Sequence, residues 1–166
     1  AFFVGKNKKE GETTTQLWFW DGDYESGVKD KGYCELYTRW LQYGTFLPIM
    51  RSHGTDTPRE PWFFQEAGTV YYDTITKYIK MRYELLPYIY SMAYQVYAHD
   101  AMIMRSLVFD YAQDKQVYAI TEQYMFGDFM VCPVVTPMEY GPNNTVLGRK
   151  QTREVYLPKG IVWYEY

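Results

Sequence analysis

The feature that most constrains the fold is a change of sequence period at Gly44. Upstream, apolar residues recur at the i, i+3, i+4, i+7 spacing of one buried helix face, which predicts a helix over about residues 31–43. Gly44 is placed to end that helix. Thr45 to Met50 is then an apolar run of strand length, although Pro48 argues against a freely paired central position. A helix followed directly by a short strand indicates an α/β arrangement.

The predicted strand leads into Arg51 and His53. On an extended strand, residues i and i+2 point to the same face, so we expect the guanidinium and the imidazole to leave together at the C-terminal end. In a β/α barrel, that end of the strands carries the chemistry. The alternative interpretation is that both residues only anchor the loop-like residues 52–62 that follow.

The pattern changes again near residue 100. A helical pattern covers about residues 70–98, and Pro87 should kink or break it because proline lacks an amide hydrogen. Beyond Asp100, β-branched and aromatic runs separated by turn residues predict strands over residues 101–109, 124–135, 153–157 and 161–166. The predicted fold class is therefore α/β followed by all-β, with domains over residues 1–100 and 101–166.

Charge and hydropathy exclude several classes of function. The formal net charge of −3 argues against nucleic-acid binding, which needs a basic face. No apolar run approaches the roughly 20 residues of a membrane-spanning helix, so no membrane partner is predicted. Glu35 and Arg39, four residues apart on the predicted helix, are expected to pair on its surface. The 20% aromatic content is more typical of core and rim packing than of a sugar-stacking surface.

No metal or cofactor site is predicted. The acidic residues 21–27 lack the ligand spacing of an EF-hand loop. Cys34 and Cys132 have no CxxC spacing and lie in apolar or aromatic settings, so we expect buried free thiols. The chain opens without Met on an apolar run, which suggests a piece of a longer protein, and missing targeting signals therefore say nothing about location.

Seven short motifs carry a resemblance that spans most of the chain. They are ELYTRW at 35–40, RSHG at 51–54, RYELLPYIY at 82–90, MRSL at 104–107, QYMFG at 123–127, CPV at 132–134 and VYLP at 155–158. Their order and spacing resemble glycoside hydrolase family 31, which holds α-glucosidases and α-xylosidases. The wording of the motifs looks closest to the α-xylosidase-like branch.

The resemblance implies the C-terminal portion of a (β/α)8 TIM barrel with an appended, incomplete β-sandwich domain. The chain would run from the end of barrel strand seven to helix eight, with residues 45–50 as strand eight. Phe2 would fill the phenylalanine position of the family's strand-seven motif, and residues 6–29 would form an extended barrel loop. A rival alignment puts Asp23 in the aspartate position of that motif, but the residues after it do not match.

The resemblance also implies a retaining exo-acting α-glycosidase that removes terminal α-linked xylose or glucose from oligosaccharides. Its two catalytic aspartates would lie on earlier barrel strands, so no catalytic residue is expected in this chain, which alone should be inactive. His53 would hydrogen-bond sugar hydroxyls in the −1 subsite, Arg51 would hold the carboxylate network, and Phe2 would supply an apolar wall. The alternative is a non-catalytic carbohydrate-binding relative that has lost the acid pair.

Two partners follow from this interpretation. One is an oligosaccharide or glycoside substrate, with no cofactor and no metal. The other is the remainder of the same polypeptide or a second copy, which would be needed to bury Trp40, Leu41, Ile75 and Ile79 because two of eight barrel units leave open edges. The resemblance favours a periplasmic or extracellular location over a cytoplasmic one.

Overall fold

The computed structural model describes residues 2–3, 31–53, 59–137, 139–140, 145–148 and 152–166, with the backbone alone at Phe2, Phe3 and His53. The helices and strands are β1 (Phe2–Phe3), α1 (Lys31–Thr45), β2 (Ser52–His53), α2 (Val70–Glu84), α3 (Leu86–His99), β3 (Met104–Ser106), β4 (Gln123–Phe126) and β5 (Met130–Pro133). The chain forms two compact units, one of residues 1–84 with 135–151 and one of residues 85–134 with 152–166. The domain boundary near residue 100 stays a prediction.

Helix α1 follows the predicted period but ends later than predicted. Its buried face holds Tyr33, Leu36, Tyr37 and Leu41, as the spacing indicates. The helix continues to Thr45, and Gly44 is buried inside it. The prediction that Gly44 ends this helix was therefore wrong.

The strand predicted over residues 45–50 was also wrong. Residues 46–49 form a turn and bends, and the extended pair is Ser52–His53. The guanidinium of Arg82 in α2 accounts for the difference, because it donates to the carbonyl oxygens of Thr45 (2.8 Å), Leu47 (2.5 Å) and Pro48 (2.9 Å). These three acceptors are occupied by one side chain, so a neighbouring strand does not use them.

The core of the first unit lies between α1 and α2. Ile75 of α2 and Phe64 are fully buried against the apolar face of α1. Leu41 is also buried within this core, while Trp40 and Ile79 are partly buried and pack against it. The expectation that Leu41 and Ile75 need a partner to be buried was therefore wrong, since both are covered within the described chain.

The long helical pattern breaks where proline predicts. Helices α2 and α3 are separated at Leu85, and Pro87 lies in the first turn of α3. A residue without an amide hydrogen fits there because the first amides of a helix have no carbonyl partner within it. His99 is the last residue of α3, and Asp100 follows with a left-handed φ of 52°.

The second unit contains a three-stranded antiparallel sheet in the order β3-β4-β5. Arg105 pairs with Met125, which in turn pairs with Val131, and all four residues of β4 are buried. Gly127 follows β4 with a φ of 62°, a left-handed conformation that glycine adopts without strain. The helices are thus followed by a small antiparallel sheet, and no helix in the described part of the chain is long and apolar enough to cross a membrane.

The predicted strands beyond residue 150 do not form. Residues 153–157 and 161–166 are irregular, and β4 already uses both of its edges on β3 and β5. The side chain of Gln123 instead hydrogen-bonds to both backbone groups of Tyr156. It donates to the carbonyl oxygen at 2.9 Å and accepts from the amide at 2.8 Å. Within the described residues of this unit the three strands form a single sheet, and the β-sandwich stays a prediction.

Candidate functional site

The predicted site residues lie around a pair of short parallel strands. In the register of β1 and β2, Phe2 is level with Ser52 and Phe3 is level with His53. Arg51 directly precedes β2 and is exposed. The structure therefore brings the backbone positions of Phe2, Arg51 and His53 together, and it is Phe3 that lies beside His53 in the register.

Helix α1 is attached to β2 through a tyrosine hydroxyl. The Tyr37 hydroxyl lies 3.2 Å from the Ser52 hydroxyl oxygen and 2.9 Å from the backbone carbonyl oxygen of Arg59. Ser52 lies in β2 directly before His53, and Arg59 follows later in the chain. One side chain of the preceding helix thus bonds both to β2 and to Arg59.

Three stacked aromatic rings lie behind this attachment. Phe64 lies nearly parallel to Tyr37, with centroids 4.2 Å apart and an interplanar angle of 13°. Tyr33 stacks on the same phenylalanine at 5.9 Å and 14°. Offset parallel rings at these distances are a favourable arrangement for aromatic side chains. The stack fixes the position of both tyrosine rings on the buried face of α1.

Burial has a clear effect on both tyrosines. It raises the pKa of Tyr33 to about 12, against the opposing effect of the Arg59 guanidinium. Burial also raises the pKa of Tyr37, and the hydrogen bond with Ser52 opposes that rise. Both hydroxyls therefore keep their protons at neutral pH and remain available as hydrogen-bond donors.

The segment before β2 is fixed by Arg82, whose three carbonyl bonds hold residues 45–48. Burial lowers the pKa of Arg82, but a guanidinium stays charged under ordinary conditions. A charged donor bonded to three carbonyl oxygens makes strong, short hydrogen bonds. Arg82 from α2 thus holds the residues before β2. Tyr37 from α1 holds Ser52 within β2 and Arg59 after it.

Glu35 is a buried carboxylate with a structural role. It is only 3% exposed, and it accepts from the backbone amides of Glu139 (3.1 Å) and Tyr140 (2.7 Å). It also pairs with Arg39 at 3.3 Å. The predicted pair with Arg39 is confirmed, but its placement on the surface was wrong. Glu35 is occupied by these bonds, which fit an anchor for residues 139–140 better than an acid or base.

Metal ligands are not gathered in the described part of the chain. No group of three or more His, Cys, Asp or Glu side chains there could hold a metal ion. The acidic residues 21–27 and the rival site residue Asp23 lie outside the described residues. Cys34 and Cys132 are buried free thiols, as predicted, and burial raises the pKa of Cys132 to about 12.

Sequence reasoning found the candidate residues on β2 but missed those that hold them. Tyr37 was predicted only as part of a buried helix face, and Phe64 was not predicted as a core residue. The signal for Arg82 was present, since an arginine occupied a position in the apolar stripe of a predicted helix. A half-buried arginine at such a position needs several acceptors, and carbonyl oxygens at the end of a neighbouring helix can supply them.

Two family profiles match most of the chain. The glycosyl hydrolases family 31 TIM-barrel domain matches residues 18–92, and the glycosyl hydrolase family 31 C-terminal domain matches residues 100–166. The curated α-xylosidase of Saccharolobus solfataricus is 42% identical over 87% of this chain. That match covers 18% of the α-xylosidase, so the chain spans under a fifth of this relative's length.

Solved structures give the same family. The α-xylosidase of Xanthomonas citri matches with a TM-score of 0.69 and 35% identity over 86% of this chain and 15% of its own. The dextranase of Flavobacterium johnsoniae, solved in complex with glucose, matches with a TM-score of 0.64 and 33% identity over 86% of this chain and 16% of its own. Both similar structures therefore contain a large part that has no counterpart in these residues.

Proposed function

Because the chain belongs to glycosyl hydrolase family 31, we propose that it is part of a retaining exo-acting α-glycosidase. The complete enzyme would hydrolyse terminal α-linked xylose or glucose from oligosaccharides. The chain spans 18% of a curated α-xylosidase, so activity and substrate belong to the whole protein rather than to these residues alone. Residues 1–100 would be the C-terminal part of the barrel, and residues 101–166 the start of the β-sandwich.

The observation that carries the proposal is the parallel pairing of β1 with β2. Parallel neighbours require a crossover connection, and α1 lies between the two strands in the chain. A strand, a helix and a parallel neighbouring strand form the repeating unit of a β/α barrel. The pairing thus supports Phe2 in the strand-seven position, although the matched barrel profile begins only at residue 18.

The direction of β2 supports a sugar site at its end. The Ser52 hydroxyl bonds to Tyr37 of α1, so Ser52 faces the helix layer. By the alternation of a strand, we expect Arg51 and His53 on the opposite face, which is the barrel interior. Phe3 is level with His53 in the register of the two strands, so Phe3 as well as Phe2 is a candidate for the apolar wall.

The chemistry of retaining glycosidases assigns separate roles to the upstream carboxylates and to the residues of this chain. One carboxylate attacks the sugar while a carboxylic acid protonates the leaving oxygen, and water then hydrolyses the glycosyl-enzyme. Both groups would lie on earlier barrel strands, upstream of this chain. His53 would hydrogen-bond a sugar hydroxyl in the −1 subsite, where such bonds strengthen as positive charge develops on the ring. Arg51 would orient the carboxylate network beside it.

The exposed face of α3 supports the need for the rest of the polypeptide. Tyr90, Tyr94 and Tyr97 recur at helical spacing, and Tyr90 and Tyr97 are 82% and 88% exposed. An aromatic stripe of this kind on a helix is normally covered by another part of the protein. We therefore propose that the remainder of the same chain, or a second copy, covers this face.

The experiment is a comparison of the full-length protein with the 166-residue chain on aryl α-xyloside and α-glucoside. The full-length protein should release the sugar with retention of anomeric configuration, detected by proton NMR. The isolated chain should show no turnover, because catalysis collapses without acid and nucleophile. Turnover by the isolated chain would contradict the proposal. Sugar binding without turnover by the full-length protein would favour the alternative of a non-catalytic carbohydrate-binding relative.

A further inference from the structure

We propose that Tyr37 is a positioning residue, which fixes β2, the strand that carries His53, by bonding to Ser52 in that strand and to Arg59 after it. The inference rests on the proposed function, since it affects catalysis only if His53 binds the sugar. Tyr37 itself lies on the helix side of β2 and would not touch the substrate. It would act on the reaction through the position of its neighbours.

The chemistry of one hydroxyl group sets the direction of the two bonds. The Arg59 carbonyl oxygen, 2.9 Å away, can only accept, and a tyrosine hydroxyl has a single proton. Tyr37 therefore donates to Arg59 and accepts from the Ser52 hydroxyl, 3.2 Å away. A single oxygen atom thus links Ser52, the residue directly before His53, to Arg59.

The tyrosine that makes this link is itself held in place. It is 2% exposed, and its ring stacks on Phe64 with centroids 4.2 Å apart. Burial raises its pKa, so the hydroxyl keeps the proton that it donates to Arg59 throughout the neutral range. A ring fixed by α1 and by a stacked neighbour can transmit the position of the helix to β2.

A small displacement of β2 would matter for the reaction. Misplacing a catalytic contact by about 1 Å can lower the rate about a hundredfold, even when the change is remote. Loss of the Tyr37 hydroxyl removes the bonds to Ser52 and to Arg59, while the stacked ring stays. We therefore expect an intermediate loss of about tenfold, smaller than the loss from removing His53 itself.

The test is a double-mutant cycle in the full-length protein, with kcat/KM on an aryl α-glycoside as readout. Tyr37→Phe should lower kcat/KM about tenfold, mainly through kcat. In a His53→Ala background the same substitution should lower it less than about twofold, because there is no imidazole left to position. Equal losses in both backgrounds would show a general structural role and overturn the proposal.

Tyr88→Phe is a matched control in the other compact unit. The Tyr88 hydroxyl also donates to a carbonyl oxygen, that of Phe126 at 2.8 Å, and accepts from the amide of Phe129 at 3.3 Å. Its removal should leave kcat/KM unchanged. Amide hydrogen exchange should rise at Ser52, His53 and Arg59 in Tyr37→Phe and at residues 126–129 in Tyr88→Phe. A rise at Ser52, His53 and Arg59 in both variants, or in neither, would contradict the assignment.

Ser52 provides a second route if Tyr37→Phe fails to fold. Ser52→Thr keeps a hydroxyl on a strand residue and should retain kcat/KM within about twofold, whereas Ser52→Ala should lower it several-fold. Equal activity of these two variants would overturn the proposal. If the full-length protein hydrolyses no α-glycoside, the proposed function fails, and the hydrogen-exchange pattern alone decides whether Tyr37 holds β2 and Arg59.

Discussion

Two tyrosines hold backbone next to a strand, one in each compact unit, and they differ in what else fixes the same backbone. Tyr88 closes the turn after β4, where Gly127 already supplies the left-handed φ of 62°. Tyr37 bonds to Ser52 and Arg59, which lie farther apart along the chain. The turn in the second unit has a local determinant, the positive φ of Gly127, in addition to a tyrosine 38 residues away. The backbone at Ser52 and Arg59 is bonded by a tyrosine of the preceding helix, 15 and 22 residues away.

This difference in what fixes the backbone indicates which segments should move when a residue elsewhere in the same unit is substituted. In the first unit, long-range side chains reach backbone groups at several points, from Arg82 to residues 45–48 and from Glu35 to residues 139–140. A substitution in α1 or α2 should therefore disturb distant segments. In the second unit, Gln123 of β4 also bonds distant backbone, that of Tyr156, so only the turn at Gly127, with its own left-handed φ, should respond mainly to local substitutions.

The largest effect on stability is expected from Glu35→Ala. It leaves the amides of Glu139 and Tyr140 and the Arg39 guanidinium without their carboxylate, and breaking a buried charged pair typically costs about 3–5 kcal/mol. Thermal denaturation of the full-length protein and amide exchange at residues 139–140 measure it. Glu84→Ala, at an exposed position of α2, is the control and should change little. Unchanged exchange at residues 139–140 would remove Glu35 as a long-range anchor.

Gly127→Ala should have the next largest effect, and it should be local. A Cβ at this position would meet the Tyr88 hydroxyl and lie 2.8 Å from the Met92 sulfur, in addition to the strain of the positive φ. Overpacking and left-handed strain together give about 2–4 kcal/mol.

Gly160→Ala is the matched control for that substitution. Gly160 has a φ of 91°, and an added methyl group would meet none of the described residues within 4 Å, so only backbone strain of about 1–2 kcal/mol is expected. Denaturation of both variants should show the larger loss for Gly127→Ala. Equal losses would mean that Tyr88 and Met92 do not constrain the turn after β4.

The expected effect of Tyr33 on stability is confined to alkaline pH. Burial raises its pKa to about 12 from an ordinary value near 10, so the folded state favours the protonated hydroxyl. This contribution to stability is fully present below about pH 10 and is lost as the pH rises to about 12, by roughly 2–3 kcal/mol. Denaturation between about pH 9 and 12 should therefore show a shallower decline in Tyr33→Phe. Parallel declines would contradict the burial of this hydroxyl.

The helices could be predicted from sequence because their signals are local. The spacing of Tyr33, Leu36, Tyr37 and Leu41 predicts the buried face of α1, and Pro87 predicts the break between α2 and α3. The end of α1 could not be predicted, because it depends on the guanidinium of Arg82 from another helix. The burial of Glu35 was missed for the same reason, since its amide partners lie about a hundred residues away.

The strands were predicted less well, because strand formation requires a free neighbouring edge. Residues 153–157 have suitable composition, yet β4 is already paired on both sides and Gln123 bonds the Tyr156 backbone instead. Prediction of the candidate site from the sequence is limited in the same way, because it too depends on contacts with other elements. The motif around Arg51 and His53 could be recognised in the sequence, whereas the contacts that fix β2 come from α1 and α2.

The most direct test concerns His53, the residue on which the proposed sugar site depends. His53→Ala in the full-length protein should lower kcat/KM for an aryl α-glycoside about a hundred- to a thousandfold, with a similar loss in kcat, because the bond matters most in the transition state. His99→Ala, at the exposed end of α3, is the matched control and should keep full activity. A His53→Ala enzyme with the kcat/KM of the unmodified protein would contradict the account and leave Arg51 and His53 as anchors of the loop.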